Sequence, residues 1–95
     1  MPHLRKIVLH CPNGYNPRLD ALVEEFVQDG VIFVGVVGED CSKVEDIIDE
    51  LVVGDGEREY RLLTSSHPNM SVAEAIEFAD SLLGKFEGKS HLLEL

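Results

Sequence analysis

The residues whose chemistry could support binding or catalysis fall in three short segments, each of which follows an apolar stretch. The segments hold His10 and Cys11, then Asp40 and Cys41, and finally Ser65, Ser66 and His67. Two thiolates and an imidazole are ligand types that zinc accepts, and a thiol beside an imidazole base can act as a nucleophile. Cys11, Cys41 and His67 are therefore candidate metal ligands and candidate catalytic residues. The other four are candidate ligand-binding residues.

The spacing of these residues gives such a site little support. No C-x-x-C or H-x-x-x-H pattern is present, and free cysteine is commonly a small buried residue. Histidine and serine are also ordinary residues of turns and helix caps. After the first apolar stretch the chain reads Cys-Pro-Asn-Gly-Tyr-Asn, where a dinucleotide-binding fold has G-x-G-x-x-G. We therefore predict no cofactor, and the metal site stays a candidate without a supporting motif.

Three strand-then-helix units must position these segments. The predicted strands run over residues 6–10, 31–37 and 59–65, and the first two are almost continuously apolar, as in strands buried on both faces of a parallel sheet. Apolar residues recur at helical spacing after each strand. The predicted helix caps and glycine stops are Asn16 with Gly30, Ser42 with Gly54, and Ser71 with Gly84.

This alternation predicts an α/β fold, a small three-layer βαβαβα domain with a three-stranded parallel sheet. We prefer strand order 2-1-3, which places helices on both faces. Order 3-2-1 is the alternative, and it would put the first two helices on one face and leave much of the other bare. The pattern resembles half of a doubly wound, flavodoxin-like or Rossmann-like sheet, a resemblance that implies fold and not function. Ligands of such sheets bind beyond the carboxyl ends of the strands, where the three segments would meet.

Residues 1–95 are predicted to form a single domain. The tail, residues 85–95, carries Phe86, Leu92, Leu93 and Leu95. It is too apolar for a purely solvated tail. We expect it to pack on the sheet, to add a strand, or to meet a partner chain.

The charge balance restricts the partners. The chain has 18 acidic and 8 basic residues, a formal net charge of −10, which argues against nucleic acid and against an anionic membrane surface. A basic protein partner is electrostatically permitted. The longest apolar stretch, residues 31–37, is too short to cross a bilayer. With no signal-peptide pattern at the start and only two cysteines, we expect a cytoplasmic protein.

No motif identifies a reaction, and the lack of one favours a binding role over an enzymatic one. The expected function is a small acidic interaction or regulatory module, with a homodimer among its forms. Two acidic helix faces are the best candidates for docking a basic partner: Glu24 and Glu25 of the first helix, and Asp46, Asp49 and Glu50 of the second. The alternative is a minimal ligand-binding or metal-binding domain, or an enzyme, that uses the Cys, His and Ser residues at the strand ends.

Overall fold

Strands and helices alternate along the chain, and all the strands described are parallel. The computed structural model describes residues 5–53, 62–82 and 90–95. In chain order its elements are β1 (Lys6–Cys11), α1 (Arg18–Asp29), β2 (Phe33–Gly38), α2 (Cys41–Val53), β3 (Leu63–Ser66), α3 (Val72–Asp80) and β4 (His91–Glu94). The predicted α/β class with a parallel sheet and three helices is confirmed. The predicted count of three strands is wrong, because the tail supplies a fourth strand.

The strand order is β3-β2-β1-β4. The preferred order 2-1-3 is therefore wrong, and the alternative 3-2-1 describes the first three strands. The objection to that order was a bare sheet face, and β4 removes it. Because β4 lies on the far side of β1, the last crossover runs back across the sheet, and a right-handed crossover in that direction places its helix on the opposite face. Accordingly, α3 contacts β1 and β2 from the face that α1 and α2 leave free.

Side chains alternate between the two faces, which we call the α1/α2 face and the α3 face. On the α1/α2 face, strand residues pack against buried residues of the two helices: Ile7, Leu9, Cys11, Val34, Val36, Leu19, Val23, Phe26, Cys41, Val44 and Ile48. On the α3 face the buried cluster is smaller: Val8, Phe33, Val37, Ala75 and Ala79. The sheet core is thus covered unequally, with two helices on one face and one on the other.

Lys6 ties the start of β1 to the end of α3. Its side chain is buried and points to the α3 face, where its ammonium donates a hydrogen bond to the carbonyl of Ala79. Ala79 lies in the last turn of α3, where unpaired carbonyls and the helix dipole favour a cation. A lysine at the beginning of a buried strand therefore fixes the end of the helix that crosses over it.

The predicted helix caps are met to different degrees. The capping box of α3 is confirmed, since the Ser71 hydroxyl accepts from the Glu74 amide and the Glu74 carboxylate accepts from the Ser71 amide, each at 3.1 Å. Asn16 Oδ1 accepts from the Arg18 amide at 2.8 Å, although α1 begins only at Arg18. Ser42 does not precede its helix, because α2 already begins at Cys41.

Other sequence expectations fall outside the described residues. These are the glycine stops at 54 and 84 and the first part of the predicted third strand, residues 59–61. The remaining stop is confirmed, since Gly30 ends α1 with a left-handed φ of 79°. In the tail, residues 91–94 add a strand beside β1, with Leu92 opposite Val8 and Leu93 opposite Leu9.

Gly38 and Gly30 offer a matched pair of alanine substitutions. Both have positive φ, but a Cβ on Gly38 would lie 2.5 Å from the Cys11 carbonyl oxygen, whereas nothing lies within 4 Å of one on Gly30. We expect Gly30→Ala to lower the free energy of unfolding by about 1–2 kcal/mol through backbone strain alone. Gly38→Ala should lower the free energy of unfolding by clearly more, because β1 and β2 must also move apart to make room for the Cβ. Urea denaturation of both variants tests this, and equal losses would contradict the close approach.

Candidate functional site

The three βα turns meet at the carboxyl edge of the sheet, as expected. Cys11 is aligned with Gly38 across β1 and β2, and Val36 with Ser66 across β2 and β3. The side chain of Asp40 in the second turn lies beside Gly14 of the first, since a Cβ on Gly14 would be 3.5 Å from Asp40 Oδ2. The edge therefore holds all the candidate residues, but their side chains do not form one group.

Both cysteines face the core on the α1/α2 side. Cys11 and Cys41 belong to the same buried cluster, and both are free thiols. The Cys11 thiol makes only a long contact with the Leu9 carbonyl, with 3.9 Å between sulfur and oxygen. Burial, and secondarily the neighbouring Cys41, raise the pKa of Cys11 to about 11. Because the thiolate is the nucleophile and the metal ligand, this environment suits a packed core residue.

His67 lies on the opposite side, at the α3 face. Its ring is 4.8 Å from that of Phe78, and its Nε2 is hydrogen-bonded to Ser65 Oγ at 2.8 Å. Burial lowers the pKa of His67, although the charge of Glu45 acts in the other direction. The sheet thus separates His67 from Cys11 and Cys41, and the structure does not bring the three together. Among residues 5–53, 62–82 and 90–95, no three His, Cys, Asp or Glu side chains are grouped so as to hold a metal ion.

Gly35 makes room for the His67 ring. A Cβ on Gly35 would lie 3.3 Å from His67 Nε2 and 3.3 Å from the Phe33 ring. This contact was not predicted from the sequence, although a glycine within an otherwise β-branched and aromatic strand indicates a close approach. The Ser65–His67 pair is therefore a packed, hydrogen-bonded feature of the α3 face.

A cleft of about 400 Å³ lies between the second and third βα turns. It is lined by Gly38, Glu39, Asp40, Cys41, Ser42, Lys43, Pro68 and Asn69. Asp40 of the second turn and Asn69 of the third both have left-handed backbones, with φ of 51° and 64°. Such conformations are uncommon outside glycine and cluster at binding sites. Of the predicted ligand-binding residues, Asp40 is the one that lines this cleft.

The remaining candidates lie elsewhere on the edge. His10 is on β1 beside β4, with Nδ1 at 3.8 Å from the Glu94 carboxylate, while the Arg18 guanidinium donates to the Glu94 carbonyl at 3.4 Å. Ser66 Oγ is 3.3 Å from Ser42 Oγ at the start of α2. Ser65 and Ser66 thus point to opposite faces, the first towards His67 and the second towards α2.

The outer edge of β3 holds an arrangement that sequence analysis missed. Thr64 Oγ1 lies 3.0 Å from Glu45 Oε2 and 2.7 Å from Asp49 Oδ1, so two α2 carboxylates converge on one hydroxyl. On the α3 side of the same edge, Leu63 is 50% exposed and Phe78 is 41% exposed. The i, i+4 spacing of Glu45 and Asp49 was the available signal, but only the sheet order reveals that β3 lies beside them.

These features define a small parallel α/β domain with a buried Cys pair, a cleft at the strand ends and two carboxylates beside the outer strand β3. The chain belongs to the family described as "Domain of unknown function (DUF7684)", whose model matches residues 2–87. No curated protein and no solved structure matches the chain. Within the described part of the chain, no helix has the length and apolar character needed to cross a membrane.

The burial of the cysteines predicts slow alkylation. At pH 7 to 8 the Cys11 thiol should react with iodoacetamide far more slowly in the native protein than in urea, because a thiol with its pKa raised to about 11 is almost wholly protonated. Intact mass measured against time, with urea-unfolded protein as the control, gives the two rates. Labelling of Cys11 in the native protein at the unfolded rate would restore the thiol-chemistry hypothesis.

The buried His67 predicts a loss of stability in mild acid. Its pKa is lowered in the folded state from the ordinary value of 6.5, so its contribution to stability is complete above about pH 6.5 and is lost as the pH falls through the lowered value. We expect the free energy of unfolding to fall between pH 7 and 5. The fall should be smaller in His67→Gln, which cannot titrate. Parallel urea titrations of the two proteins test this, and identical pH profiles would contradict it.

Proposed function

We propose that this domain is an interaction module that binds a basic protein partner through the edge formed by α2 and β3. One observation carries the proposal: no salt bridge joins the α2 carboxylates to any residue in the described ranges. These carboxylates are Glu45, Asp46, Asp49 and Glu50. Lys43 is the one basic residue of α2, so the four carboxylates outnumber it and leave the helix face acidic. An acidic surface that is not neutralised by salt bridges can attract a basic partner and speed its association.

Contact with the β3 edge favours α2 over the other acidic helix. In α1, Glu24 and Glu25 already take part in interactions within the molecule. In α2, Val44 and Ile48 are buried while Asp46, Asp49 and Glu50 are exposed, so the acids form an outward face. Thr64 draws Glu45 and Asp49 towards the sheet edge. The negative charge of Glu45 and Asp49 therefore lies next to β3 as well as next to solvent.

A second candidate function is binding of a small cationic ligand in the cleft between the second and third turns. It is favoured by the cleft volume of about 400 Å³ and by a lining in which two acidic residues, Glu39 and Asp40, outnumber the one basic residue, Lys43. A polyamine such as spermidine is a suitable probe. Binding that is lost in Asp40→Asn and kept when the α2 acids are reversed would favour this candidate. Binding that is kept in Asp40→Asn and lost when the α2 acids are reversed would favour the surface formed by α2 and β3.

The proposal is for a cytoplasmic module that acts on a different chain. Both cysteines are free thiols, and free thiols persist in reducing compartments. A homodimer remains a competing form. A symmetric pairing through the acidic edge would bring like charges together, which costs free energy and weakens with added salt.

Charge reversal with a matched control tests the docking edge. Asp46→Lys with Glu50→Lys, on α2, and Glu24→Lys with Glu25→Lys, on α1, each change the formal net charge from −10 to −6, because every substitution adds two charges. With a fluorescent oligolysine peptide of about eight residues at low salt, we expect the α2 variant to bind roughly tenfold more weakly, from about 0.2–1 kcal/mol for each exposed ion pair.

The α1 variant should lose much less affinity for the same peptide. Fluorescence anisotropy measures both dissociation constants, and circular dichroism checks that both variants are folded. Equal losses in the two variants would mean that net charge alone attracts the peptide. That result would remove the case for a docking surface at α2 and β3.

A further inference from the structure

We propose that β3 binds an extended segment of the partner as an additional strand, in which basic residues alternate with apolar ones. The basic side chains would lie on the α1/α2 face beside α2, and the apolar ones on the α3 face beside Leu63 and Phe78. This inference rests on the proposed function and specifies its binding mode and the chemistry of the partner.

Among the described strands, β3 lies at an edge of the sheet, with β2 as its neighbour. On its inner side the Leu63 amide donates to the Ile32 carbonyl at 3.0 Å, and the His67 amide donates to the Val36 carbonyl at 2.9 Å. Successive residues of a strand direct their N–H and C=O groups to opposite sides. Thr64 and Ser66 therefore direct theirs outward, and no described residue pairs with these groups. Unpaired edge groups of this kind are the template on which a further strand can form.

The α2 side of the edge selects for cations. Thr64 has one hydroxyl proton, and Glu45 and Asp49 both lie within hydrogen-bond distance of its oxygen. One proton cannot satisfy two carboxylates at once, so negative charge accumulates beside the strand. A residue of an added strand that points to this face would lie about one strand spacing, roughly 4.8 Å, from Thr64. A lysine or arginine there could reach both carboxylates.

The α3 side of the edge selects for apolar side chains. Leu63 is half exposed, at 50%, although it is paired with the buried Phe33 of β2. Phe78 of α3 is 41% exposed, and its ring lies 6.4 Å from that of Phe33. Among the described strands, α3 packs mainly on β1 and β2. An apolar residue of an added strand would extend the α3-face core outward beside Leu63 and Phe78.

The two sides together define the partner's pattern. Strand side chains alternate with a period of two, so a segment that satisfies both sides must alternate basic and apolar residues. A second copy of this chain fits less well. A twofold axis normal to the sheet would join β3 to itself and set the two α2 acidic faces against each other. The charge complementarity therefore favours a basic segment of another protein.

Binding of synthetic peptides to the 95-residue chain tests the inference. The probe is a labelled peptide of about eight residues with alternating lysine and valine, and its control has the same composition with lysines and valines in separate blocks. Ser66→Pro removes an outward N–H without removing a ladder bond to β2. Ser66→Ala, its matched control, keeps that N–H and loses only the hydroxyl.

We expect the alternating peptide to bind the native protein at least about tenfold more tightly than the block peptide. Ser66→Pro should lose about tenfold in affinity, as for one backbone hydrogen bond and a steric block at the edge. Ser66→Ala should stay within about twofold. Urea denaturation verifies that the variants are folded.

A second measurement needs no protein variant. Two alternating peptides are methylated on the backbone, one at its valine amides and the other at its lysine amides. In a strand only one of these sets faces β3, so one peptide should bind at least about tenfold more weakly than the other. Equal affinities would overturn strand addition.

Other results separate this inference from the function on which it rests. If alternating and block peptides bind equally and both are weakened by reversal of the α2 acids, strand addition is wrong and the acidic docking surface stands. If neither peptide binds at low salt, both proposals fail. A concentration-dependent dimer that Ser66→Pro dissociates would show that the edge belongs to a second copy of this chain, and would overturn the basic partner.

Discussion

The pairing of β4 with β1 is the contact on which the rest of this fold depends. It makes β1 an interior strand, flanked by β2 and β4, and so explains why Ile7, Val8 and Leu9 are all fully buried. It also sends the last crossover back over the sheet, which brings α3 onto the face that would otherwise lack a helix. Without this crossover, α3 would not cover Val8 and Phe33, and both side chains would be exposed to solvent.

The elements and the fold class follow from local chemistry, whereas the strand order does not. Continuous apolar runs identify β1 and β2, and capping residues such as Ser71 locate helix starts closely. The order of the strands depends on which face each crossover takes, and that was decided by a tail strand with the weak local pattern His-Leu-Leu-Glu. A short edge strand gains its stability from its partner, so its sequence alone carries little information.

The candidate site shows a similar division. Sequence correctly placed the three turns at one edge, because parallel strands end together. It could not give the face to which each side chain points, since a continuously apolar strand has no alternation that tells one face of the sheet from the other. Cys11 is the last residue of β1 and points to α1 and α2, while His67 follows the last residue of β3 and folds over Gly35 towards α3. Residues at the same edge of the sheet can therefore lie on opposite faces, where they do not form one site.

The hydrogen bond from Lys6 to Ala79 joins residues 73 positions apart, and β1 meets β4 across an even longer stretch of chain. The interior strand β1 is therefore completed by β4, which is synthesised after all the other described elements. Contacts of such high sequence separation slow folding, because a long loop must close before they form. During synthesis, the apolar first strand emerges from the ribosome long before its outer neighbour exists. The chain is most prone to aggregation in the interval between the synthesis of β1 and that of β4.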